Sequence, residues 1–316
     1  MYILILGATG FVGSQLTQHL LHKGHRVRAT TRRTLRSSSP QLEYFLWNGS
    51  DAAELATALD SIDAVINLQG ENIGSKRWDA RRKEEIKQSR VQAGQCLCEA
   101  MQQRYKAQQA LPHTVLQTSA SGYYGLWKDA ATAPLCPESA PAGKGFLAEV
   151  CTAWEASIAP VQAMGIRVCI TRFSPIIGKK TSGTVGGFVA QMIPPFRYFL
   201  GGPAGSGRQP ITWVHLSDVV NSLEFLLDHE DLQGIFNISA PEVVTMYQFS
   251  QALGNACHRP SWLPVPSFLL SLALGEMAEE LVLAGQRPQP VRLLEAGYTF
   301  RFSTVQQALQ DVIDPA

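Results

Sequence analysis

Short apolar runs alternate with longer amphipathic segments through the first two-thirds of the chain. Most runs are continuously apolar and do not alternate with polar residues, which is typical of parallel strands buried on both faces. We predict strands at 3–6, 27–31, 42–46, 64–68, 115–118 and 168–172. Helices are predicted at 13–23, 52–59, 79–106 and 146–164. This alternation predicts an α/β fold with a Rossmann-type, doubly wound parallel sheet.

The pattern changes after residue 177. Residues 178–210 are rich in Gly and Pro, which predicts turns and loops. A helix at 216–227 and a strand at 235–238 follow, and the rest is predicted to be helical with a last short strand at 298–300. We therefore expect a Rossmann domain from 1–177 with 211–240 returning to it. A smaller, mostly helical C-terminal substrate domain would comprise 178–210 and 241–316.

Composition narrows the possible partners. The net charge is +1 and no dense basic tract occurs, which argues against nucleic acid. No stretch is long and apolar enough for a membrane span, and the apolar start reads as a strand, so we expect a cytoplasmic protein without a membrane partner. The six cysteines include no Cys-x-x-Cys pair, so reduced thiols are expected and a metal site is not.

A glycine-rich turn, Gly7-Ala8-Thr9-Gly10-Phe11-Val12-Gly13, joins the first predicted strand to the first predicted helix. The first glycine permits a tight turn, the second lets the backbone approach a pyrophosphate, and the third lets the helix pack on the strand. The free N–H groups and dipole of the helix N-terminus favour phosphate. The turn predicts a dinucleotide site, with a purely structural turn as the alternative.

The end of the second predicted strand distinguishes NAD from NADP. An acidic residue there binds the ribose 2′-hydroxyl of NAD. This chain has Thr30-Thr31-Arg32-Arg33 and no carboxylate. Because a guanidinium pairs bidentately with a phosphate, we predict NADP(H) as the cofactor, selected by Arg32. The alternative is that Arg32 and Arg33 are merely solvated.

Further short motifs are spread along the chain. They are Asn67-Leu-Gln-Gly-Glu-Asn-Ile73, Lys76-Arg-Trp78, Ser89-Arg90, Ser119-Ala-Ser-Gly-Tyr-Tyr-Gly125, Trp154-Glu155, Pro194-Pro-Phe-Arg197, Gly201-Gly-Pro-x-Gly-Ser-Gly-Arg-Gln209, Trp213-Val-His215, Asp218 and Gly285-Gln-Arg-Pro288. With them the chain resembles extended short-chain dehydrogenase/reductases, and more narrowly an atypical subgroup of NAD(P)-dependent, nucleoside-diphosphate-sugar-epimerase-like proteins. The resemblance covers essentially the whole chain.

The resemblance implies which residues contact the cofactor. They are Gly7, Thr9, Gly10, Phe11, Val12, Gly13, Thr31, Arg32, Leu68, Gln69, Glu85, Arg90 and Ile176. We add Gly70, because a glycine at the end of the fourth predicted strand allows close approach to the ribose and phosphates. Glu85 and Arg90 lie on the long predicted helix, where an ordinary surface charge is the alternative.

The catalytic residues usual in this superfamily are a Ser or Thr after the fifth strand and a Tyr-x-x-x-Lys pair, in which the Lys lowers the Tyr pKa. The resemblance places the Tyr at Leu147 and the Lys at Cys151, so the pair is missing. The one Tyr-x-x-x-Lys string, Tyr124 to Lys128, follows the fifth strand directly and is interpreted as chance.

Small hydroxyl residues flank the usual Ser position, which is Ala120 here. Ser119 and Ser121 are therefore candidates to hold the substrate oxygen, with turn formation as the alternative. Tyr123 beside them is our candidate proton donor, although its ring could equally serve packing. Tyr124 and Lys144 are further candidates.

The Gly/Pro-rich segment is expected to face the nicotinamide and to supply the substrate contacts. Arg197, Arg208 and Gln209 are its polar candidates, and each Arg is either a phosphate clamp or a surface ion pair. We expect structural roles for His215 and Asp218.

The leading hypothesis is an NADP(H)-dependent oxidoreductase or epimerase that transfers hydride on a small polar or nucleotide-sugar substrate. The missing Tyr–Lys pair also fits a non-catalytic NADP(H)-binding sensor or interaction protein, or a structural protein with a vestigial pocket. Either a monomer or a homodimer is expected.

Overall fold

The computed structural model describes residues 1–37 and 39–313 of the 316-residue chain, so positions 314–316 of the predicted C-terminal domain lie outside the described residues. The strands are β1 (Tyr2–Leu6), β2 (Arg26–Thr31), β3 (Leu42–Leu46), β4 (Ala64–Asn67), β5 (Thr114–Ala120), β6 (Arg167–Phe173), β7 (Ile176–Lys179), β8 (Val185–Gly187), β9 (Pro210–Ile211), β10 (Val214–His215), β11 (Gly234–Ile238) and β12 (Val244–Thr245).

The helices lie between these strands and in the C-terminal part. They are α1 (Phe11–His22), α2 (Ala52–Ala58), α3 (Ala80–Lys106), α4 (Phe146–Ala156), α5 (Ala159–Gln162), α6 (Val189–Arg197), α7 (Leu216–Asp228), α8 (Met246–Ala256), α9 (Ser267–Leu274), α10 (Glu276–Leu281), α11 (Val291–Glu295) and α12 (Val305–Val312). A 3-10 helix, Ser121–Tyr124, follows β5 directly.

Seven strands form one parallel sheet in the order β3-β2-β1-β4-β5-β6-β11. The chain starts in the middle, winds outward through β2 and β3, and then returns across β1 to β4, so the order reverses beside β1. Ligands bind at such a reversal, outside the carboxyl ends of the strands. The predicted doubly wound Rossmann-type sheet is confirmed.

Both faces of the sheet are covered by apolar clusters. In β1, Ile3 and Ile5 join one cluster with residues of α1 and α7, whereas Leu4 and Leu6 join another with residues of α2 and α3. Alternate side chains of a strand point to opposite faces, so burial on both sides accounts for the continuous apolar runs.

Two predicted elements differ in the structure. The predicted helix 146–164 is broken into α4 and α5, and Pro160 lies in the first turn of α5, where its missing N–H is tolerated. The predicted strand 298–300 is wrong, because these residues have no strand structure. The Tyr298 hydroxyl and the N–H groups of Arg301 and Phe302 instead bond the Asp218 carboxylate, at 3.4, 2.7 and 3.0 Å.

A third apolar cluster lies in the C-terminal part and combines residues of α6, α8 and α12 with Ile177 and Trp213. Residues 178–210 therefore pack with 241–313, in keeping with the predicted substrate domain, whose boundaries stay a prediction. Besides turns, the Gly/Pro-rich segment contains β8 and α6, which the sequence did not indicate. None of the described helices has the length and apolar character needed to cross a membrane.

Candidate functional site

The glycine-rich turn between β1 and α1 closes through its backbone. The Gly10 N–H donates to the Gly7 carbonyl at 3.0 Å, and Gly7 has φ +81°, which favours glycine. A Cβ on Gly13 would lie 2.3 Å from the Gly7 carbonyl oxygen, so α1 packs on the turn at a distance only glycine allows. A Cβ on Gly10 would meet only that oxygen, at 3.2 Å, with nothing else within 4 Å. Gly13 therefore serves packing, whereas Gly10 borders open space.

The N-terminus of α1 has no side-chain cap. By contrast, Asp51 and Asp79 cap α2 and α3 and accept hydrogen bonds from backbone N–H groups. The first-turn N–H groups of α1, which include those of Phe11 and Val12, lack such an acceptor among the described residues, and the helix dipole adds partial positive charge. This helix end suits a diphosphate, and the exposed Thr9 lies in the turn beside it.

The end of β2 is anchored to the same turn. The Thr30 hydroxyl accepts from the Gly7 N–H at 3.3 Å, and the Thr31 hydroxyl donates to the Arg33 carbonyl at 2.9 Å. Arg32 is exposed and forms no hydrogen bond or ion pair with any residue of the described ranges. Its guanidinium is therefore available to an incoming anion.

The loop after β4 touches the turn. A Cβ on Gly7 would lie 3.0 Å from the Leu68 carbonyl oxygen. The Asn67 side chain holds this loop, because it accepts from the Gln69 N–H at 3.1 Å and donates to Gln117 at 2.9 Å. The predicted contacts Leu68 and Gln69 are thus brought beside the glycine-rich turn.

Arg90 of α3 lies against Gly70, at the end of that loop. A Cβ on Gly70 would be 3.1 Å from the Arg90 guanidinium carbon. The guanidinium donates to the carbonyls of Ile86 and Glu71, both at 2.9 Å, and lies 5.1 Å from the centre of the Trp154 ring. Burial lowers the pKa of Arg90 to about 10, so the side chain remains charged at neutral pH. A cation therefore stands between the β4 loop and α4.

Ile176 and Glu85, two further predicted cofactor contacts, lie in different surroundings. Ile176 begins β7 and lies near Phe11, since a Cβ on Gly187 of the paired strand β8 would meet both the Ile176 carbonyl oxygen and the Phe11 ring, the latter at 3.4 Å. Phe11, Val12 and Ile176 are all half-buried against one core cluster. Glu85 instead forms ion pairs with Arg82 and Arg81, which lower its pKa. A cofactor group would have to compete with these arginines for Glu85.

The three predicted catalytic residues follow one another at the carboxyl end of β5. Ser119 is 1% exposed and donates to Glu155 at 2.6 Å. Ser121 is also buried, but its hydroxyl makes no hydrogen bond with the described residues. Tyr123 is half-buried, and its hydroxyl is likewise unbonded within the described ranges. The hydroxyls of Ser121 and Tyr123 are therefore available to a substrate, whereas the Ser119 hydroxyl already donates its proton to Glu155.

A buried polar network continues from Glu155. The carboxylate accepts from Arg172 Nε and Nη2, both at 2.8 Å. Arg172 Nη1 donates to the Tyr124 hydroxyl at 2.9 Å, and that hydroxyl donates to Asn237 at 2.7 Å. Burial raises the pKa of Tyr124 to about 12. This hydroxyl is fully engaged, which makes Tyr124 a poor proton donor.

The positions of the missing Tyr–Lys pair are occupied by other chemistry. Leu147 packs on an apolar cluster of Trp78, Ile86 and Met277, which joins α3 and α4 to the C-terminal part. Cys151 is buried, and burial raises its pKa to about 11. Neither position carries a charge at neutral pH.

The C-terminal part also caps α4. The Glu280 carboxylate accepts from the N–H groups of Phe146 and Leu147 at 3.0 and 3.4 Å. Burial raises the pKa of Glu280 despite these hydrogen bonds. Gly145 has φ +113°, and a Cβ there would be 2.8 Å from a Glu280 oxygen, so the glycine allows this approach.

The three predicted substrate contacts differ in how deeply they are buried. Gln209 is fully buried, and its amide donates to the carbonyls of Ala204 and Val282 at 2.9 and 3.0 Å, which favours a loop-anchoring role. Arg197 is exposed at the end of α6. The Arg208 side chain is 73% exposed, lies 3.3 Å from Asp129 and borders an open cavity of about 440 Å³. Both arginines remain candidates.

His215 and Asp218 lie in the interior. His215 caps α7 through Nδ1, which accepts from the Ser217 N–H at 3.2 Å. Its ring lies 3.9 Å from that of Phe302, and burial lowers its pKa to about 4. Asp218 anchors the loop after Tyr298, and burial raises its pKa. The expected structural roles agree with these contacts.

Residues 3–239 match the family model described as the NAD dependent epimerase/dehydratase family. The chain belongs to this family. Residues 265–312 match a second model, a domain of unknown function named DUF1731.

Similar proteins extend over the whole chain. An epimerase family protein of Mycobacterium leprae, ML0860, is 35% identical over 97% of this chain and 94% of its own length. The Bacillus subtilis epimerase family protein YfhF is 34% identical over 99% and 98%. The crystal structure of human epimerase family protein SDR39U1 (isoform 2) with NADPH superposes with a TM-score of 0.83 at 30% identity, covering 99% of each chain. The assignment to the atypical extended short-chain dehydrogenase/reductases is confirmed.

Sequence reasoning missed several residues that build this epimerase-family site. Arg172 lies next to the last residue of β6 and Glu155 lies on a largely apolar helix, and charges in such buried elements are a signal for a buried pair. Seventeen positions separate the two, so nothing local in the sequence pairs them. Glu280 is one of three acidic residues in α10. Nothing in the neighbouring sequence indicates that it caps α4, which lies more than 130 positions earlier in the chain.

Proposed function

We propose that this family member binds NADP(H) and transfers hydride to or from a carbinol or carbonyl carbon of a small polar or nucleotide-sugar substrate. The observation that carries the proposal is the uncapped N-terminus of α1 behind the Gly7–Gly13 turn, together with Arg32, which has no partner within residues 1–37 and 39–313. The NADPH in the human SDR39U1 structure supports this choice of cofactor.

The residues present fit the cofactor. The diphosphate would be held at Gly10 and the first N–H groups of α1, where open space and partial positive charge coincide. Arg32 would pair with the 2′-phosphate, and Leu68, Gln69 and Arg90 line the neighbouring loop. Bound at this edge of the sheet, the nicotinamide supplies or accepts the hydride.

The proton would be handled by residues after β5. The Tyr123 hydroxyl is unbonded among the residues that the structure describes, so it is our proton donor and acceptor. Ser121 would hold the substrate oxygen, because the Ser119 hydroxyl already donates to Glu155. Positive charge would come from Arg172, whose guanidinium lies against the Tyr123 ring, and from Arg90, which acts on Cys151 at the position of the usual lysine.

A second function is favoured by a specific observation. At the position of the usual Tyr, Leu147 packs against the apolar cluster of Trp78, Ile86 and Met277. A protein that binds NADP(H) without turning it over, such as a sensor, fits that feature. Tight binding without chemistry would distinguish it.

The test is NADPH titration by fluorescence, followed by single-turnover oxidation with a panel of carbonyls and nucleotide sugars. Epimerisation, which consumes no cofactor, is followed by NMR of the sugars. We expect Tyr123→Phe to slow turnover by about 10²–10⁴-fold, with Tyr105→Phe on the exposed face of α3 as the matched control. Failure to bind NADPH at micromolar concentration overturns both functions. If the parent protein binds NADPH but shows no turnover, the hydride-transfer function is overturned and the sensor function is supported.

A further inference from the structure

The buried ion pair of Glu155 and Arg172 contacts two of the residues predicted to be catalytic, one on each side. On the carboxylate side, Ser119 donates to Glu155 at 2.6 Å. On the guanidinium side, Arg172 Cζ lies 3.4 Å from the centre of the Tyr123 ring. That distance is well inside the range of a cation–π contact.

We propose that the Glu155–Arg172 pair is the positioning device for Tyr123. Arg172 would hold the ring from its face and provide a fixed cation beside it, in place of the lysine that accompanies the usual catalytic tyrosine. The inference rests on the proposed function of Tyr123 as proton donor, and it assigns Arg172 a role that acts through Tyr123 and not on substrate.

Arg172 is rigid enough for this task. It lies on β6, the strand paired with β5, and is 1% exposed. Nε and Nη2 are fixed by Glu155, and Nη1 donates to the Tyr124 hydroxyl. Because a bidentate Arg–carboxylate pair fixes the guanidinium plane, the surface presented to the Tyr123 ring is also fixed.

In the described part of the chain, Tyr123 makes ring contacts and a backbone hydrogen bond. The Tyr124 ring meets it edge-on, with centroids 5.4 Å apart and an interplanar angle of 86°. The Tyr123 carbonyl accepts from the Gly143 N–H at 2.8 Å. No described residue bonds its hydroxyl. A clamped ring with an uncommitted hydroxyl is what a positioned proton donor requires.

Stability alone does not explain the pair. Buried ion pairs are often no more stabilising than apolar residues of similar volume, because desolvation offsets the attraction. The contacts to Ser119 and Tyr123 suggest instead a functional role for this charged pair, at the edge of the sheet where the cofactor is proposed to lie.

The test variant is Arg172→Lys, which keeps the charge but loses the bidentate plane. Arg167→Lys is the matched control: Arg167 lies on the same strand and donates to Thr114 and the carbonyls of Leu226, His229 and Leu232. We expect kcat to fall roughly 10- to 100-fold in Arg172→Lys, with KM and the NADPH Kd within about twofold of the parent protein. Arg167→Lys is expected to leave all three unchanged.

A spectroscopic readout separates positioning from catalysis. In protein labelled with ¹³Cζ-tyrosine, the Tyr123 resonance is assigned by its loss in Tyr123→Phe. It is expected to move in Arg172→Lys and to stay in Arg167→Lys. If the parent protein has no turnover, the proposed function fails, and this resonance still decides whether Arg172 holds the ring.

A second variant covers the case in which Arg172→Lys does not fold. Glu155→Gln keeps the shape of the pair and removes one charge, with Glu149→Gln on the exposed side of the same helix as its control. We expect the same resonance to move and kcat to fall in Glu155→Gln alone. An unchanged Tyr123 resonance in a folded variant overturns the inference, and so does an equal loss of kcat in variant and control.

Discussion

The substitution Gly10→Ala is expected to weaken cofactor binding while leaving folding nearly unchanged. The residue has φ −75° and ψ 179°, which alanine adopts without strain, and its Cβ would meet only the Gly7 carbonyl oxygen at 3.2 Å. We therefore expect the free energy of unfolding to change by less than about 1 kcal/mol. The new methyl group would occupy the space in which the diphosphate is proposed to lie. Losing one or two charge-assisted hydrogen bonds there costs about 3 kcal/mol, or roughly 100-fold in Kd.

Gly13→Ala is the informative comparison. Its Cβ would lie 2.3 Å from the Gly7 carbonyl oxygen and 2.8 Å from the Cα of Ala8, so the turn itself must shift by about 1 Å. Overpacking against backbone costs about 1–3 kcal/mol or more. This variant should therefore lose both stability and binding.

The assay combines urea denaturation with NADPH fluorescence titration for both variants and for Gln18→Ala on the exposed face of α1. Gly10→Ala should fold like the control and bind poorly. If it folds normally and binds NADPH within about twofold of the parent protein, the diphosphate does not rest on this turn and the assignment of the cofactor site is wrong.

Three further predictions concern charge. Arg32→Asp should weaken NADPH binding by about 100-fold relative to NADH, measured by titrating both cofactors; an equal effect of the exposed Arg36→Asp would contradict a specific role. Glu280→Ala should destabilise by about 1–3 kcal/mol in urea, because two N–H groups at the start of α4 lose their acceptor; the half-exposed Glu279→Ala should not. For His215, the folded-state pKa of about 4 lies below the unfolded value of 6.5, so its contribution is complete above pH 6.5 and is lost as the pH falls toward 4, by about 3 kcal/mol. In His215→Asn, which retains a cap acceptor, this part of the stability–pH profile should flatten; an unchanged slope would refute the assignment.

The sheet could be predicted because burial on both faces leaves a plain signal, the continuous apolar run. Where long-range hydrogen bonds decide the structure, that signal fails. A strand was predicted at 298–300, but the Tyr298 hydroxyl and the N–H groups of Arg301 and Phe302 are bound by Asp218, eighty or more positions earlier in the chain. The break between α4 and α5 had a local cause, Pro160, that a longer amphipathic pattern concealed.

The candidate site divides in the same way. The glycine-rich turn and Arg32 are local patterns, so both could be proposed from the sequence alone. The commitment of Ser119 to Glu155 and the burial of Gln209 depend on partners distant in sequence, so no spacing rule could have revealed them. Arg90 was found only through resemblance, and the structure adds its place between Gly70 and Trp154.

The helix that usually carries the Tyr–Lys pair, α4, is in this chain a contact surface for the C-terminal part. Leu147 packs on the cluster that joins α3 and α4 to that part, and Glu280 caps the same helix end. Leu147 is half-buried against this cluster, so a tyrosine at position 147 would have to place its ring against the same apolar side chains. The two positions of the usual pair are therefore occupied by an apolar side chain that packs against the cluster and by a buried thiol. In the proposed function the proton therefore comes from the 3-10 helix after β5, where Tyr123 lies against Arg172 of β6, and Arg90 of α3 supplies the positive charge near Cys151.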